Sequence, residues 1–258
     1  MTSRRDPRAP LLGEGDGPAY ALANGDGGSD VVLVCDHASH RVPRSLGTLG
    51  LAPDRLSEHI GWDPGAADVA RHLSAALDAP LVSSGYSRLV IDCNRPLRSP
   101  QSIAEESDGV PIPGNLGLSS EQKALRASAL FQPYHDAITR LLDDRRGRPT
   151  RLLSIHSFTP VLAGRARPWD VGVSARGERR LASRLVAELR SDPAGWTVGD
   201  DEPYPIDDEL DFTIPVHVEA RGLPGALIEI RQDGIDTPAG ARDWAERLAE
   251  AIRRTKSS

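Results

Sequence analysis

The chain is expected to be an α/β protein: a three-layer α/β/α sandwich built around a mixed, mainly parallel sheet. Two observations predict this. Short runs rich in Val, Leu and Ile alternate with amphipathic stretches of helical length, the pattern of parallel strands joined by crossover helices. Several of those runs are apolar almost without alternation, as strands covered on both faces are. The 258 residues show no internal repeat and no central linker, so a single core is expected.

Residues 1–28 are rich in Gly, Pro, Asp and Arg and are expected to be a loose N-terminal segment. One catalytic domain is expected over 29–256. It opens with VVLVC (31–35), a β-branched strand. PGAADVARHLSAALD (64–78) predicts a helix with Pro in its first turn and Ala67, Val69, Ala70, Leu73 and Leu77 toward one side. PLVSS (80–84) and SRLVIDC (87–93) read as the next two strands. Residues 119–146 predict a helix with a Ser cap, kinked or split at Pro133. RLLSIHSF (151–158) and WDVGVSA (169–175) read as strands, and 177–192 as an amphipathic helix. VHVEA (216–220) and GALIEIRQ (225–232) complete the strands, 238–255 is the last helix, and TKSS is a frayed tail. Two long polar loops, 94–118 and 201–213, flank the strand ends, where a lid or specificity role is expected.

Composition narrows the function. Charged residues make up 26% and the net charge is -6, without the basic footprint of a nucleic-acid binder. No apolar stretch reaches the length of a membrane span and no secretory h-region opens the chain, so a cytoplasmic location is expected. Cys35 and Cys93 end apolar runs and are expected to be reduced and buried. There is no G-x-S-x-G elbow beside Ser157, no G-x-G-x-x-G after a strand, no P-loop and no C-x-x-C.

The strand ends carry the chemistry. The first delivers Asp36, His37 and, three residues on, His40. The 87–93 run delivers Asp92, Asn94 and Arg95. The 151–158 run delivers His156 and Ser157, and the last delivers Glu229, Arg231 and Asp233. Asp63 lies between them in HIGWDPGA. Ligands in such folds gather at the carboxyl ends of the strands. Two His plus a carboxylate form a common zinc set that leaves a fourth position for water. Glu229 stands in an otherwise apolar strand, where a carboxylate is costly unless paired or at work. Arg88 and Arg95 carry guanidinium forks suited to a substrate carboxylate.

Each residue also has a plainer reading. His37 and His156 would serve as core histidines, Asp63 as a helix cap before Pro64, Asp36 as a partner orienting a His, and Glu229 as an ion-pair partner of Arg231. His59, His72, His135 and His217 read as surface or packing residues.

VCDHASHRVP, HIGWDPGA, SRLVIDCNRP, IHSFTP and LIEIRQD, in this order, resemble the motifs of the N-formylglutamate amidohydrolase family over roughly residues 30 to 250. That family resembles the zinc carboxypeptidases and aspartoacylase-type deacylases in fold. The resemblance implies one zinc ion per chain and hydrolysis of a small acidic N-acyl amino acid, formate being released in the named activity. It implies that His37, His156 and Asp63 hold the metal, that Glu229 is the general base, and that Asn94 and Arg95, with Arg88, grip the substrate carboxylate. Two departures stand out. The family more usually shows a Pro-His-Ser-Gly type turn where this chain has Asp-His-Ala-Ser, and related metallo-hydrolases place a Glu where it has His40. His40 is therefore an alternative ligand to Asp63. The rival readings are a non-catalytic binding module for an acidic metabolite and a peptidase or amidase on a larger N-acyl substrate.

Overall fold

The computed structural model of the protein describes residues 10–255. Its main elements are β1 (Tyr20–Ala23), β2 (Val31–Cys35), α1 (Ala66–Leu77), β3 (Leu81–Ser84), α2 (Ser120–Arg126), α3 (Gln132–Asp143), β4 (Arg151–Phe158), β5 (Val171–Ser174), α4 (Arg180–Arg190), β6 (Val198–Asp200), β7 (Gly225–Arg231) and α5 (Pro238–Arg254). The seven strands form one sheet in the order β1-β3-β2-β4-β7-β5-β6. The β2–β3, β2–β4, β4–β7 and β5–β6 pairings are parallel, and β1–β3 and β5–β7 are antiparallel. This is the expected three-layer sandwich with a mixed, mainly parallel sheet.

Strand pleating divides the core. Val31, Leu33 and Cys35 of β2 face the side covered by α1, α4 and α5, whereas Val32 and Val34 face α3 on the other. On α1, Ala66, Val69, Ala70 and Leu73 are buried, one helical stripe laid on the sheet. A separate apolar cluster, including Leu11, Leu89, Ile91, Ile112 and Phe131, packs under the long 94–118 loop. Both cysteines are free and buried.

The structure departs from the sequence reading in identifiable places. SRLVIDC is not a strand. Both edges of β3 are already paired, so its backbone groups bond elsewhere: Ser87 N donates to Arg41 O, and the Arg126 and Asn115 side chains donate to Val90 O and Leu89 O. VHVEA is helical, as a π-turn over Ile214–Val218 and a 3-10 turn over Glu219–Arg221. Both edges of β7 are likewise occupied, so Ile214 and Val218 pack on the sheet face instead. The 120–143 helix is interrupted by a π-turn over Ala127–Phe131, and Pro133 falls in the first turn of α3, where its missing N–H costs nothing. Strands β1 and β6, four and three residues long, carry no apolar alternation to announce them.

The N-terminal segment expected to be loose is tied down within the described residues. β1 pairs with β3, and Leu11 is buried. Residues 1–9 lie outside the described residues. Of the expected tail, Thr255 is buried and its hydroxyl takes a hydrogen bond from Arg151 at 2.7 Å, while residues 256–258 lie outside the described residues. No described helix is long and apolar enough to cross a membrane.

Candidate metal centre

Three elements bring the centre together. His37 lies just past the end of β2, after Asp36, His156 lies in β4, and Asp63 precedes α1. β4 pairs with both β2 and β7, which brings residues far apart in sequence to one end of the sheet. Asp63 N donates to His37 O at 3.0 Å, fixing the turn between them. Gly65 caps α1 with φ +80, and a side chain there would collide with Ile235 O at 2.4 Å. No side chain caps this helix, so the Asp63 carboxylate is left for the two histidines.

The geometry is that of a ligand set. Asp63 Oδ2 stands 2.9 Å from His156 Nδ1 and 3.3 Å from His37 Nδ1, and the rings meet edge-on with centroids 4.9 Å apart. The ligand atoms of His37, Asp63 and His156 all lie within 4.8 Å of one another. Each imidazole has its other nitrogen on a further carboxylate. His37 Nε2 is 2.7 Å from Asp92 Oδ1, and His156 Nε2 is 3.0 Å from Asp36 Oδ2. Such outer carboxylates orient metal-binding imidazoles and raise their basicity. Asp36 is itself held by Tyr134 (2.9 Å), Thr213 (2.6 Å) and Ser154 (2.8 Å), each donating a hydroxyl. Asp92 is held by Arg88, which donates from Nε (3.1 Å) and Nη2 (2.8 Å).

Electrostatics point the same way. Asp36, Asp63, Asp92 and Glu229 are all buried, and Arg88 pairs with two of them, Asp92 and Asp63. Burial would raise the Asp63 carboxyl, yet His37 and His156 hold it well below the ordinary range. Burial opposes charge on His156 as well, but Asp36 and Asp63 keep it protonated far above its usual range. The extra proton on His156 thus stands in for a cation, and a dication at the Nδ1 atoms would replace it.

Glu229 is directly opposite His156 in the β4–β7 register. Burial raises its carboxyl from 4.5 to about 7, and its Oε2 is buried without a hydrogen-bond partner among the described residues. It does not pair with Arg231, which bonds instead to Asp170 (3.0 Å) and Asp233 (2.8 Å). A cavity of about 340 Å³ opens over this centre, lined by His37, Asp63, His156 and Glu229 together with Arg88, Asn94 and Arg95.

The structure sorts the remaining sequence candidates. His40 is exposed, its ring edge-on to Trp62 at 4.9 Å, and is outside the ligand group. The turn after His37 directs it to solvent, so the ligand alternative to Asp63 falls away. Arg88 spends its donors on Asp92 and, at 3.4 Å, on Asp63. Asn94 lines the cavity, but its carboxamide clasps the 201–213 loop: Nδ2 donates to Asp211 (3.0 Å), and Oδ1 accepts from the Phe212 (3.2 Å) and Thr213 (3.0 Å) amides. Arg95 donates to Leu210 O and lies 3.8 Å from Asp211, with part of its guanidinium left facing the cavity. Sequence reasoning missed Thr213, Tyr134 and Ser154. Single hydroxyls in unrelated segments carry no motif.

Comparison with known proteins identifies the family. The sequence matches the family model described as N-formylglutamate amidohydrolase over residues 29–235. A crystal structure of a gene product from Agrobacterium tumefaciens is similar to 95% of this chain and 97% of its own, at 38% identity and a TM-score of 0.92. The crystal structure of N-formylglutamate amidohydrolase from Ralstonia eutropha JMP134 shares the fold, with a TM-score of 0.67 and 20% identity over 92% of this chain and 96% of that one. No curated protein matches. The chain therefore belongs to the N-formylglutamate amidohydrolase family.

Proposed function

We propose that the protein is a zinc-dependent amidohydrolase of the cytoplasm, cutting a small acidic N-formyl amino acid such as N-formylglutamate into formate and the free amino acid. The observation that supports this best is the convergence of His37 Nδ1, His156 Nδ1 and Asp63 Oδ2 beside a buried, unpartnered Glu229. His37, His156 and Asp63 would hold the zinc, with Asp92 and Asp36 fixing the two rings. Bound there, zinc supplies Lewis-acid polarisation of the acyl carbonyl and acidifies a water.

The chain's own residues do the rest. Glu229 takes the proton from the attacking water. Its ordinary affinity would be too weak, but burial moves it to about 7, near the operating pH. As the C–N bond breaks, Glu229 returns that proton to the departing nitrogen, so the amine leaves neutral, and the formic acid left behind gives up its hydroxyl proton to solvent to become formate. Arg95 receives the substrate carboxylate, because its guanidinium is not fully spent within the protein. Arg88 and Asn94 act one step back, the first by orienting Asp63 and Asp92 and the second by holding the 201–213 loop against the site.

Zinc content and turnover test the proposal together. The protein should hold about one zinc per chain and release formate from N-formyl-glutamate faster than it releases acetate from the N-acetyl analogue. His156→Ala should abolish zinc retention. Full zinc retention by that variant would remove the basis of the proposal.

A further inference from the structure

One pair beside the cavity, the buried Arg167 and the exposed Tyr204, is not used by the ligands or by Glu229. Arg167 is only 9% exposed, and its guanidinium lies between two rings, 5.6 Å from the centroid of Phe158 and 4.8 Å from that of Tyr204. Its Nη2 donates to the Tyr204 hydroxyl oxygen at 2.6 Å. A guanidinium has only donors, so the phenol oxygen is the acceptor in this bond. The phenol's own proton then has no acceptor among the described residues. Tyr204 lines the same cavity as His37, His156 and Glu229, and its side chain feels the charges of Glu229 and Arg88.

The residue is also fixed in place. Ser174 donates its hydroxyl to Tyr204 O at 2.7 Å. Just before it, Glu202 O presses onto β5 so closely that a Cβ on Gly172 would come within 1.7 Å. Only glycine admits the loop there. The result is an O–H donor tethered to the sheet, backed by a permanent cation in an apolar sandwich and unsatisfied from within the protein.

We propose that Tyr204 is a catalytic hydrogen-bond donor that stabilises the oxyanion formed on the attacked acyl carbonyl, with Arg167 as the residue that positions and polarises it. This rests on the amidohydrolase reading. A donor held ready at the site binds the charged transition state more strongly than the neutral carbonyl, so its effect falls on kcat rather than KM. Arg167 draws electron density from the phenol oxygen and makes its proton the better donor.

The test uses the zinc-loaded full chain and two readouts: turnover of the best N-formyl amino acid, and calorimetric affinity for a phosphonamidate analogue with a tetrahedral anion. Tyr204→Phe should lower kcat by about 10²–10³-fold, the usual effect of deleting one oxyanion donor. KM, zinc content and melting temperature should stay near wild type, and analogue affinity should fall with kcat. Arg167→Met should lower kcat in the wild-type background and add little on top of Tyr204→Phe. An unchanged kcat in Tyr204→Phe, a raised KM alone, or full additivity of the two substitutions would overturn the Tyr204 assignment while leaving the amidohydrolase reading standing. A wild-type protein with neither turnover nor analogue affinity would overturn both. Without turnover but with analogue binding, the effect of Tyr204→Phe on that affinity decides the assignment.

Discussion

Glu229→Gln should do two opposite things, and the structure sets the size of each. The carboxylate is 6% exposed and its Oε2 has no hydrogen-bond partner, so ionising it inside the fold is costly. Its pKa rises from 4.5 to about 7. At about 1.36 kcal/mol per pKa unit, that is roughly 3 kcal/mol of penalty. The folded chain holds the proton to a higher pH than the unfolded chain does. The fold is therefore spared the penalty below 4.5 and bears it increasingly as pH rises through 4.5 to about 7. Gln carries no charge, so metal-free Glu229→Gln should melt several degrees above wild type at pH 8, and the gap should close toward pH 4. Turnover of the zinc-loaded variant should fall by about 10²–10⁴-fold, the usual contribution of a general base, with zinc retained. Calorimetry across pH on the metal-free protein, with metal analysis and steady-state kinetics on the zinc-loaded protein, measures the three quantities. A variant that turns over at the wild-type rate, or melts no higher than wild type at pH 8, would refute the placement of a strained base at this position.

Two further outcomes follow from the surrounding network. Asp36→Asn keeps the shape but removes the charge behind His156, and zinc affinity should drop about 10–100-fold, read by competition with a chelating dye. The buried pair His135 and His217, 2.9 Å apart, should make the fold acid-sensitive. His135 Nε2 meets Cys93 O at 2.8 Å and so carries its proton there, leaving Nδ1 to accept from His217. Burial lowers the two to about 4 and about 3. Below the unfolded value near 6.5, the unfolded chain takes up protons that the folded one refuses. Stability present above that pH is then lost as pH falls toward 4, by at most about 1.4 kcal/mol per pH unit for each histidine. His217→Gln can still donate to His135 and does not titrate, so it should flatten the melting-temperature slope between pH 4.5 and 6.5. An unchanged slope would remove this pair as its source.

The sequence by itself determined the class of fold and marked the candidate ligands at the strand ends, with His40 left as an alternative to Asp63. VVLVC and RLLSIHSF could only be strands buried on both faces, and the helices between them imposed a parallel core. An aspartate and histidine closing one such run, with histidine and glutamate inside two others, are too costly to bury idly, so they announced a site. Tertiary structure decided what short-range pattern cannot carry. SRLVIDC and VHVEA have strand-like composition, but sheet edges are finite, and once every neighbouring edge was paired these segments found their hydrogen bonds elsewhere. The same long-range placement turned His40 to solvent, put the Asp63 carboxylate on two imidazoles rather than on its helix, and committed Asn94 to a loop more than a hundred residues away. The roles of Thr213, Tyr134, Arg167 and Tyr204 depend wholly on that placement, because a hydroxyl or a guanidinium acquires its function from the atom it faces.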